Sequence, residues 1–349
     1  MSSSRGFDGS GMGASTSRPS YVVAYLSHLF ATLYTTMSSF FTIFKPAETI
    51  TLAHSRRRVT VLKQLGEGGF SFVYLVRDVG DGATYALKRV RIQLPEHEER
   101  LKSEIAAHKA VQSPYVVKLV DEEVVKRGNA VVEGLLLLPF YERGTVQDLI
   151  DQTPTDQAIA LQRILQITMD VCSGLSAFHT HNPPLAFRDL KPANILINTD
   201  GRAVLMDLGS VAVARVTLTS RKEAIALQEE CAETATAPFR APELFDPPTN
   251  GSVDERSDVW ALGCTLYAMA YRVSPFDGTT TATISGRVSF PTPPTPLRSH
   301  PVYINAAFRH LILAALTPPA SRPTVAEMSE KCRVVLEGLG DSQDGIGAV

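Results

Sequence analysis

The stretch LAFRDLKPANILINTDGRAVLMDLG, residues 185–209, holds aspartates, a lysine and an asparagine at spacings that suit metal-assisted phosphoryl transfer. Asp189 can accept the proton of an attacking hydroxyl, and Lys191, two residues on, can neutralise charge on a moving phosphoryl group. Asn194 and Asp207 supply hard oxygen ligands. Magnesium is small, prefers oxygen and keeps part of its hydration shell, so one or two side-chain oxygens plus nucleotide phosphates suit it. Between these residues, ILI at 195–197 and VLM at 204–206 flank a segment with Asp200-Gly201, a strong hairpin signal. The ends of that hairpin would carry Asn194 and Asp207 to one place.

Taken in order, R-D-L-K-P-x-N, a hairpin and D-L-G match the signature of the eukaryotic-type protein kinases, and the chain resembles that family over about residues 58–337. The resemblance implies an α+β, two-lobed fold: a small antiparallel-sheet lobe with one helix, helix C, and a larger, mostly helical lobe. It divides the chain into an N-terminal segment 1–57, a small lobe 58–138, a hinge 139–143, a large lobe 144–337 and a short disordered tail 338–349.

Toward the N-terminus, LGEGGFSFV at 65–73 lies between two alternating apolar runs and leads into a strand instead of a helix. That context fits a flap over ATP phosphates, with Gly66 and Gly68 letting backbone amides come close and Ser71 in the place of a third glycine. Lys88 can reach the α- and β-phosphates, and Ala86, on the same strand face, is small enough to admit an adenine. Glu96, Glu98, Glu99 and Glu104 compete as the helix C partner of Lys88, and only Glu104 lies in the half-apolar stretch KSEIAAHKAV. Pro139 offers adenine a carbonyl and Tyr141 an amide, with Leu138 beside the pocket as gatekeeper. The implied nucleotide site is Leu65, Gly66, Glu67, Gly68, Gly69, Phe70, Ser71, Val73, Ala86, Lys88, Pro139, Tyr141 and Leu196. ATP and Mg²⁺ are the implied cofactors, Asn194 and Asp207 the metal ligands, and Asp189, Lys191, Lys88 and Glu104 the catalytic set.

Toward the C-terminus, apolar positions from Leu161 to Phe178 mark one face of a helix. The activation segment before Ala241-Pro-Glu243 has a centre, SRKEAIALQEECAE, rich in helix formers. Asp258 opens a nearly all-apolar helix that runs to Tyr271, and two more helices follow around 308–316 and 325–336. Glu243 and Arg322 resemble the buried ion pair that fastens this segment in the family. Lys191 together with Thr236 resembles serine/threonine kinases more than tyrosine kinases, so protein substrates with serine or threonine hydroxyls are implied. LGEGGFSFVYLV, LLLLPFYERGTVQDLI, VLMDLGSV and FRAPELFD resemble the Numb-associated kinases, in particular a small branch tethered to Golgi and endosomal membranes by fatty acylation. That likeness implies a cytoplasmic enzyme at Golgi, endosomal or vacuolar membranes. It also implies an activation segment that does not require phosphorylation, although Arg188 could bind a phosphate on Thr217, Thr219, Ser220 or Thr234. Phe187 stands where the family has histidine; it keeps the stacking but not the histidine's hydrogen bond, and activity is still expected.

A net charge of -2 and a pI near 6.5 give no electrostatic case for nucleic-acid binding. Four scattered cysteines suggest neither a zinc site nor disulfides, and nothing in the sequence sets an oligomeric state. Residues 21–44 form an uncharged run of 24 positions, rich in aromatic and hydroxyl side chains. Three readings stay open for it: a membrane-spanning helix, an interfacial helix, or a disordered or targeting segment. No glycine follows Met1 and no cysteine precedes Cys172, so acylation at the N-terminus would require a start at Met12-Gly13. Two rivals to a protein kinase are a pseudokinase scaffold and a small-molecule phosphotransferase of the same fold. Lys88, Asp189 and Asp207 speak against the first; A-P-E, D-V-W and the late Arg322-Pro323 speak against the second.

Overall fold

Alternation in the first third of the chain sends every second apolar side chain to one face, as a sheet covered on one side requires. The structure, a computed structural model, describes residues 48–344 apart from 54, 70 and 129. The 21–44 run and Phe70 thus lie outside the described residues. Six strands, β1 (Thr49–Leu52), β2 (Arg57–Glu67), β3 (Ser71–Asp78), β4 (Thr84–Arg91), β5 (Asp121–Arg127) and β6 (Ala130–Pro139), form one antiparallel sheet in the order β1-β2-β3-β4-β6-β5. Leu52, Val59, Val76, Leu87, Leu135 and Leu137 make its core. Its register sets Val73 opposite Lys88 and Ala86 opposite Leu138. Helix α1 (Pro95–Ala110) begins on a proline, whose missing amide costs nothing at a helix start.

Two boundaries differ from those read in the sequence. Strand β1 precedes residue 58, and its four residues, TITL, are too few for alternation to stand out, yet Leu52 is 0 % exposed. Beyond it the Ala53 amide donates to Glu123 Oε2 at 2.7 Å and Ser55 bonds Asp121, so β5 side chains hold the start of the sheet. At the other end the last helix runs on to Asp344, into the stretch 338–349 taken for a tail. Once a helix is nucleated each further residue gains a backbone bond, and Arg333 pairs with Glu330 and Glu337 along the exposed face.

The larger lobe contains α2 (Val146–Gln152), α3 (Leu161–His179), β7 (Leu185–Ala186), β8 (Ile195–Ile197), β9 (Ala203–Leu205), β10 (Ala212–Val213), β11 (Val216–Leu218), α4 (Arg221–Thr234), α5 (Pro242–Phe245) and β12 (Gly251–Val253). After these come α6 (Arg256–Tyr271), α7 (Thr280–Ser285), α8 (Pro301–Ile304), α9 (Ala306–Ala315) and α10 (Val325–Asp344). Every residue of α6 from Ser257 to Tyr271 is buried, so the other helices pack around it. Gly263 lets α9 approach closely, since a Cβ there would lie 2.7 Å from the Ala315 Cβ. Glu243 and Arg322 meet in a bidentate pair at 2.5 and 3.1 Å, with Arg322 also donating to the carbonyls of Arg256 and Thr317. Among the described residues no helix is long and apolar enough to cross a membrane.

Leu52→Ala should lower unfolding stability by about 2–4 kcal/mol, the usual loss for a buried leucine. Urea titration of the full chain followed by tryptophan fluorescence measures it; a loss within error would mean that β1 is not part of the folded core.

Candidate active site

Local turn chemistry brings the first pair of site residues together. β8 and β9 pair with Ile195 opposite Leu205 and Ile197 opposite Ala203, and Gly201 takes φ 84° in the turn between them. At the open end of the hairpin the Met206 amide donates to the Asn194 carbonyl at 3.0 Å, so Asn194 and Asp207 end up side by side. Asp207 has φ 64°, a conformation that a non-glycine residue holds only under constraint from its surroundings.

Asp189 sits at the centre of a converging set of donors. Its Oδ1 accepts from the Thr236 amide at 2.9 Å and the Thr236 hydroxyl at 2.6 Å. Its Oδ2 accepts from Lys191 Nζ at 2.8 Å and Asn194 Nδ2 at 2.9 Å. Lys191 also donates to Thr236 Oγ1 at 2.6 Å, which ties the end of the activation segment to the loop. Behind Asp189, the carboxylate of Asp258 accepts from the amides of Phe187 and Arg188 at 2.7 and 2.8 Å and from His179 Nε2 at 2.9 Å. In the sequence Asp258 marks the start of a helix and belongs to D-V-W, but its bonds to the catalytic loop have no local signal beyond a carboxylate in the first turn of an otherwise apolar helix. Phe187 is fully buried, with its ring edge-on to Phe178 at 5.6 Å.

Lys88 joins the two lobes. Its Nζ lies 2.7 Å from Glu104 Oε1 and 2.8 Å from Asp207 Oδ1. Burial alone would lower the ammonium's pKa, but Asp207 and Glu104 outweigh it and hold it above its ordinary value. Burial raises Glu104 despite Lys88, whereas the attraction of Lys88 overcomes burial at Asp207 and lowers it. Of the competing glutamates, Glu98 and Glu99 instead reach Lys102 at 3.0 and 2.9 Å on the helix's outer side.

A second link was not read from the sequence. One turn beyond Glu104, His108 is 2 % exposed and donates from Nδ1 to the Val117 carbonyl at 3.2 Å. The Val117 amide in turn donates to the Leu205 carbonyl at 2.8 Å, two residues before Asp207. Strand β5 starts only at Asp121, because Val116 and Val117 pair with Leu205 of β9 in the other lobe. This chain of contacts sets helix α1, and so Glu104, against the strand that carries Asp207.

The remaining expected nucleotide residues border the same cleft segments. Leu65, Gly66 and Glu67 end β2, and the Gly68 amide donates to the Ser71 carbonyl at 2.7 Å in the turn, with Gly69 beside it. Val73, Ala86 and Leu196 are half-buried, although the strand neighbours Leu87, Ile195 and Ile197 are buried. Pro139 closes β6 opposite Tyr85. The Tyr141 amide has no hydrogen-bond partner among the described residues, while its carbonyl accepts from Gly144.

Contacts with Arg188 and with α5 hold the activation segment. Arg188, 5 % exposed, donates to Cys231 Sγ at 3.2 Å and to the Val213 carbonyl at 3.4 Å. Cys231 is on α4, whose Glu233 pairs with Arg100 of α1 and whose Gln228 donates to the Phe245 carbonyl at 2.7 Å. Ser220 caps α4 by accepting from the Glu223 amide, and Thr234 donates back to the Glu230 carbonyl.

Comparison with known proteins accounts for this arrangement. Residues 59–332 match the model of the protein kinase domain. Serine/threonine-protein kinase 16 of Rattus norvegicus is 41 % identical over 229 residues, which cover 65 % of this chain and 74 % of that protein. A probable serine/threonine-protein kinase of Dictyostelium discoideum is 36 % identical over 285 residues, covering 63 % of this chain and 77 % of the relative. Serine/threonine-protein kinase ENV7 of Saccharomyces cerevisiae is 27 % identical over 346 residues, covering 80 % and 92 %. The chain belongs to the protein kinase family, and it is of the serine/threonine type, a phosphotransferase.

Burial pushes His108 down from 6.5 to about 4 against the opposing hydrogen bond to Val117. The folded protein therefore resists a proton that the unfolded chain takes up below its own, higher pKa, so this stability is present above about pH 6.5 and is lost as pH falls toward 4. Between about pH 7 and pH 5 the loss should be roughly 2 kcal/mol. His108→Leu should remove that part of the slope. Urea midpoints of both proteins at the two pH values measure it, and parallel slopes would show that His108 does not titrate this way.

Proposed function

We propose that this serine/threonine kinase transfers the γ-phosphoryl group of Mg-ATP with Asp189 as the base that takes the proton of the incoming hydroxyl. The oxygen of that hydroxyl forms the new bond to phosphorus as the bond to the nucleotide's bridging oxygen breaks. Lys191 stabilises charge on the transferred group, and Lys88, oriented by Glu104, holds the α- and β-phosphates. The observation that carries this reading is the meeting of Lys88, Glu104 and Asp207, from three distant segments, in one contact set.

The residues fit both cofactors. A Cβ at Gly66 or Gly69 would meet nothing within 4 Å, which leaves room for phosphates against the backbone. Asn194 commits its Nδ2 to Asp189 and keeps Oδ1, and the Asp207 side chain is 48 % exposed. These two hard oxygens would hold Mg²⁺, which when bound neutralises charge on the nucleotide's phosphates. Leu65, Val73, Ala86 and Leu196 would enclose the adenine, with the Pro139 carbonyl and the Tyr141 amide as its acceptor and donor.

Within the family we assign the chain to the Numb-associated kinases, supported by the quoted stretches at the glycine loop, hinge, D-L-G and A-P-E and by helix α4 ahead of A-P-E. We also propose that 21–44 brings the enzyme to an internal membrane with its kinase domain in the cytosol, where ATP and substrates are. An uncharged, aromatic-rich run of 24 residues favours such contact, at roughly 25 cal/mol per Å2 of apolar surface removed from water.

Asp189→Asn should lower labelled-phosphate transfer to a serine peptide by at least about a hundredfold with an unchanged melting temperature. Glu104→Gln should weaken transfer, and Glu99→Gln should not. Equal activity of Asp189→Asn and the parent would favour a scaffold role instead. For the membrane, cell fractionation of the full chain and of a variant lacking residues 1–44 is the test. Carbonate-resistant pelleting of the full chain alone would indicate a span and carbonate release an interfacial helix; two soluble proteins would end the membrane reading.

A further inference from the structure

Three arginines from separate segments lie about the closed end of the β8–β9 hairpin, and the guanidiniums of two of them converge there. Arg143 follows β6, Arg163 lies in the first turn of α3, and Arg202 follows Gly201 in the hairpin turn. A Cβ on Gly201 would sit 3.7 Å from Arg143 Nη1 and 3.7 and 3.8 Å from Arg163 Nη1 and Nη2, so two guanidiniums face one point in space. Burial, with the like charge of Arg143 adding to it, holds Arg163 below its ordinary value even though Asp170 opposes the shift. Arg163 and Arg202 both act on Asp170, whose carboxylate already accepts the Ala203 amide at 2.9 Å. Among the described residues none of the three arginine side chains is in a hydrogen bond or an ion pair. Elsewhere the chain pairs its arginines closely, as in Arg57 with Asp78, Arg89 with Glu133, Arg215 with Glu255 and Arg322 with Glu243.

A local excess of positive charge on a chain of net charge -2 is a focused feature, not a reflection of composition. Guanidiniums select carboxylate and phosphate oxygens, often two at a time. The cluster also has a defined relation to the reaction centre, because Asn194 and Asp207 stand at the open end of the same hairpin. Three residues of strand separate the two ends, on the order of 10 Å, a span that a few residues of extended peptide cover. A free nucleotide phosphate held near Asp207 would not reach the arginines, whereas a protein substrate could meet both places.

We propose that Arg143, Arg163 and Arg202 form a docking site for an acidic segment of the protein substrate, separate from the residues around the phosphorylated hydroxyl. It rests on the kinase reading above and deepens it by naming the chemistry that recruits substrates. The acidic groups are aspartate or glutamate side chains, or phosphorylated serine or threonine, and both offer the same oxygens. Docking of this kind lowers KM and leaves kcat unchanged, since it contributes binding energy equally to ground and transition states.

The test uses the full chain, the double variant Arg143→Glu/Arg202→Glu, and the milder Arg143→Gln/Arg202→Gln in case charge reversal perturbs folding. Arg163, half-buried, is left intact. Fluorescence anisotropy is measured with three labelled peptides: one rich in Glu and Asp, one with phosphoserines at the same positions, and one with Gln and Asn. The parent should bind an acidic peptide at least about tenfold more tightly than the reversed variant does, with affinity falling as salt rises. A substrate carrying the same extension should show KM raised by that factor in the variant, with kcat and transfer to the acceptor-only peptide unchanged. The better of the carboxylate and phosphoserine peptides identifies the source of the charge. Equal binding by parent and variants, or equal binding of the neutral peptide, would overturn the proposal. Loss in the variant of co-sedimentation with phosphatidylserine vesicles, without any peptide binding by the parent, would overturn it in favour of a lipid contact. If the parent failed to phosphorylate even the acceptor-only peptide, the kinase reading would fall while the anisotropy still reported on the arginines.

Discussion

Asp258 shapes the loop on which the reaction chemistry depends. Its carboxylate is 1 % exposed, and taking such a group out of water costs several kcal/mol unless protein donors replace the lost solvent. Two successive amides and one imidazole do so here. Successive amides can aim at one carboxylate only if the chain turns sharply, and Arg188 accordingly takes φ 70°. Such a conformation persists in a non-glycine residue where its neighbours over-determine it. The direction in which Asp189 leaves the backbone is thus set by a residue 70 positions beyond its neighbour Arg188. The all-buried helix α6 gives Asp258 a rigid base, and Arg322 fixes that helix to Glu243 at the end of the activation segment.

The second constraint acts between the lobes. Lys88 is on the sheet, Glu104 on α1 and Asp207 beyond β9, so the three meet only while α1 keeps its distance from β9. His108 and Val117 provide that spacing through two hydrogen bonds in series, near the middle of the molecule. Arg100 and Glu233 provide a further contact between α1 and α4 nearer the surface, where an ion pair contributes little by itself. The buried link is therefore the stronger determinant of where Glu104 stands, and the surface pair follows it.

Local signals were the ones legible in the sequence. The Asp200-Gly201 turn, the apolar face of α3 and the proline at the start of α1 each depend on residues a few positions apart, and each element formed where its signal lay. Asp189, Lys191, Asn194 and Asp207 could be named because they fall within one hairpin and its flanks. What could not be read were contacts whose partners are far apart in sequence and leave no periodic trace. Asp258 with Phe187 is of this kind, and so is Arg188 with Cys231; His108 with Val117 is nearer in sequence but joins a helix to a loop and leaves no periodic trace either. Strand β1 escaped notice for a different reason: four residues alternating threonine with isoleucine and leucine look the same in a loop, and only the burial of Leu52 distinguishes them.

Arg188 shows how the activation segment can be ordered by packing in place of charge. A phosphate opposite a buried guanidinium supplies about two negative charges and several strong acceptor oxygens. Cys231 supplies a thiol sulfur, a weak acceptor, and burial pushes its pKa up, which keeps it neutral. The hold on α4 must then come mainly from elsewhere. Ala224, Leu227 and Cys231 are buried along one face of the helix, and Ser220 caps its start. Apolar burial of that sort depends on fit and volume and involves no charge that dilute salt could screen.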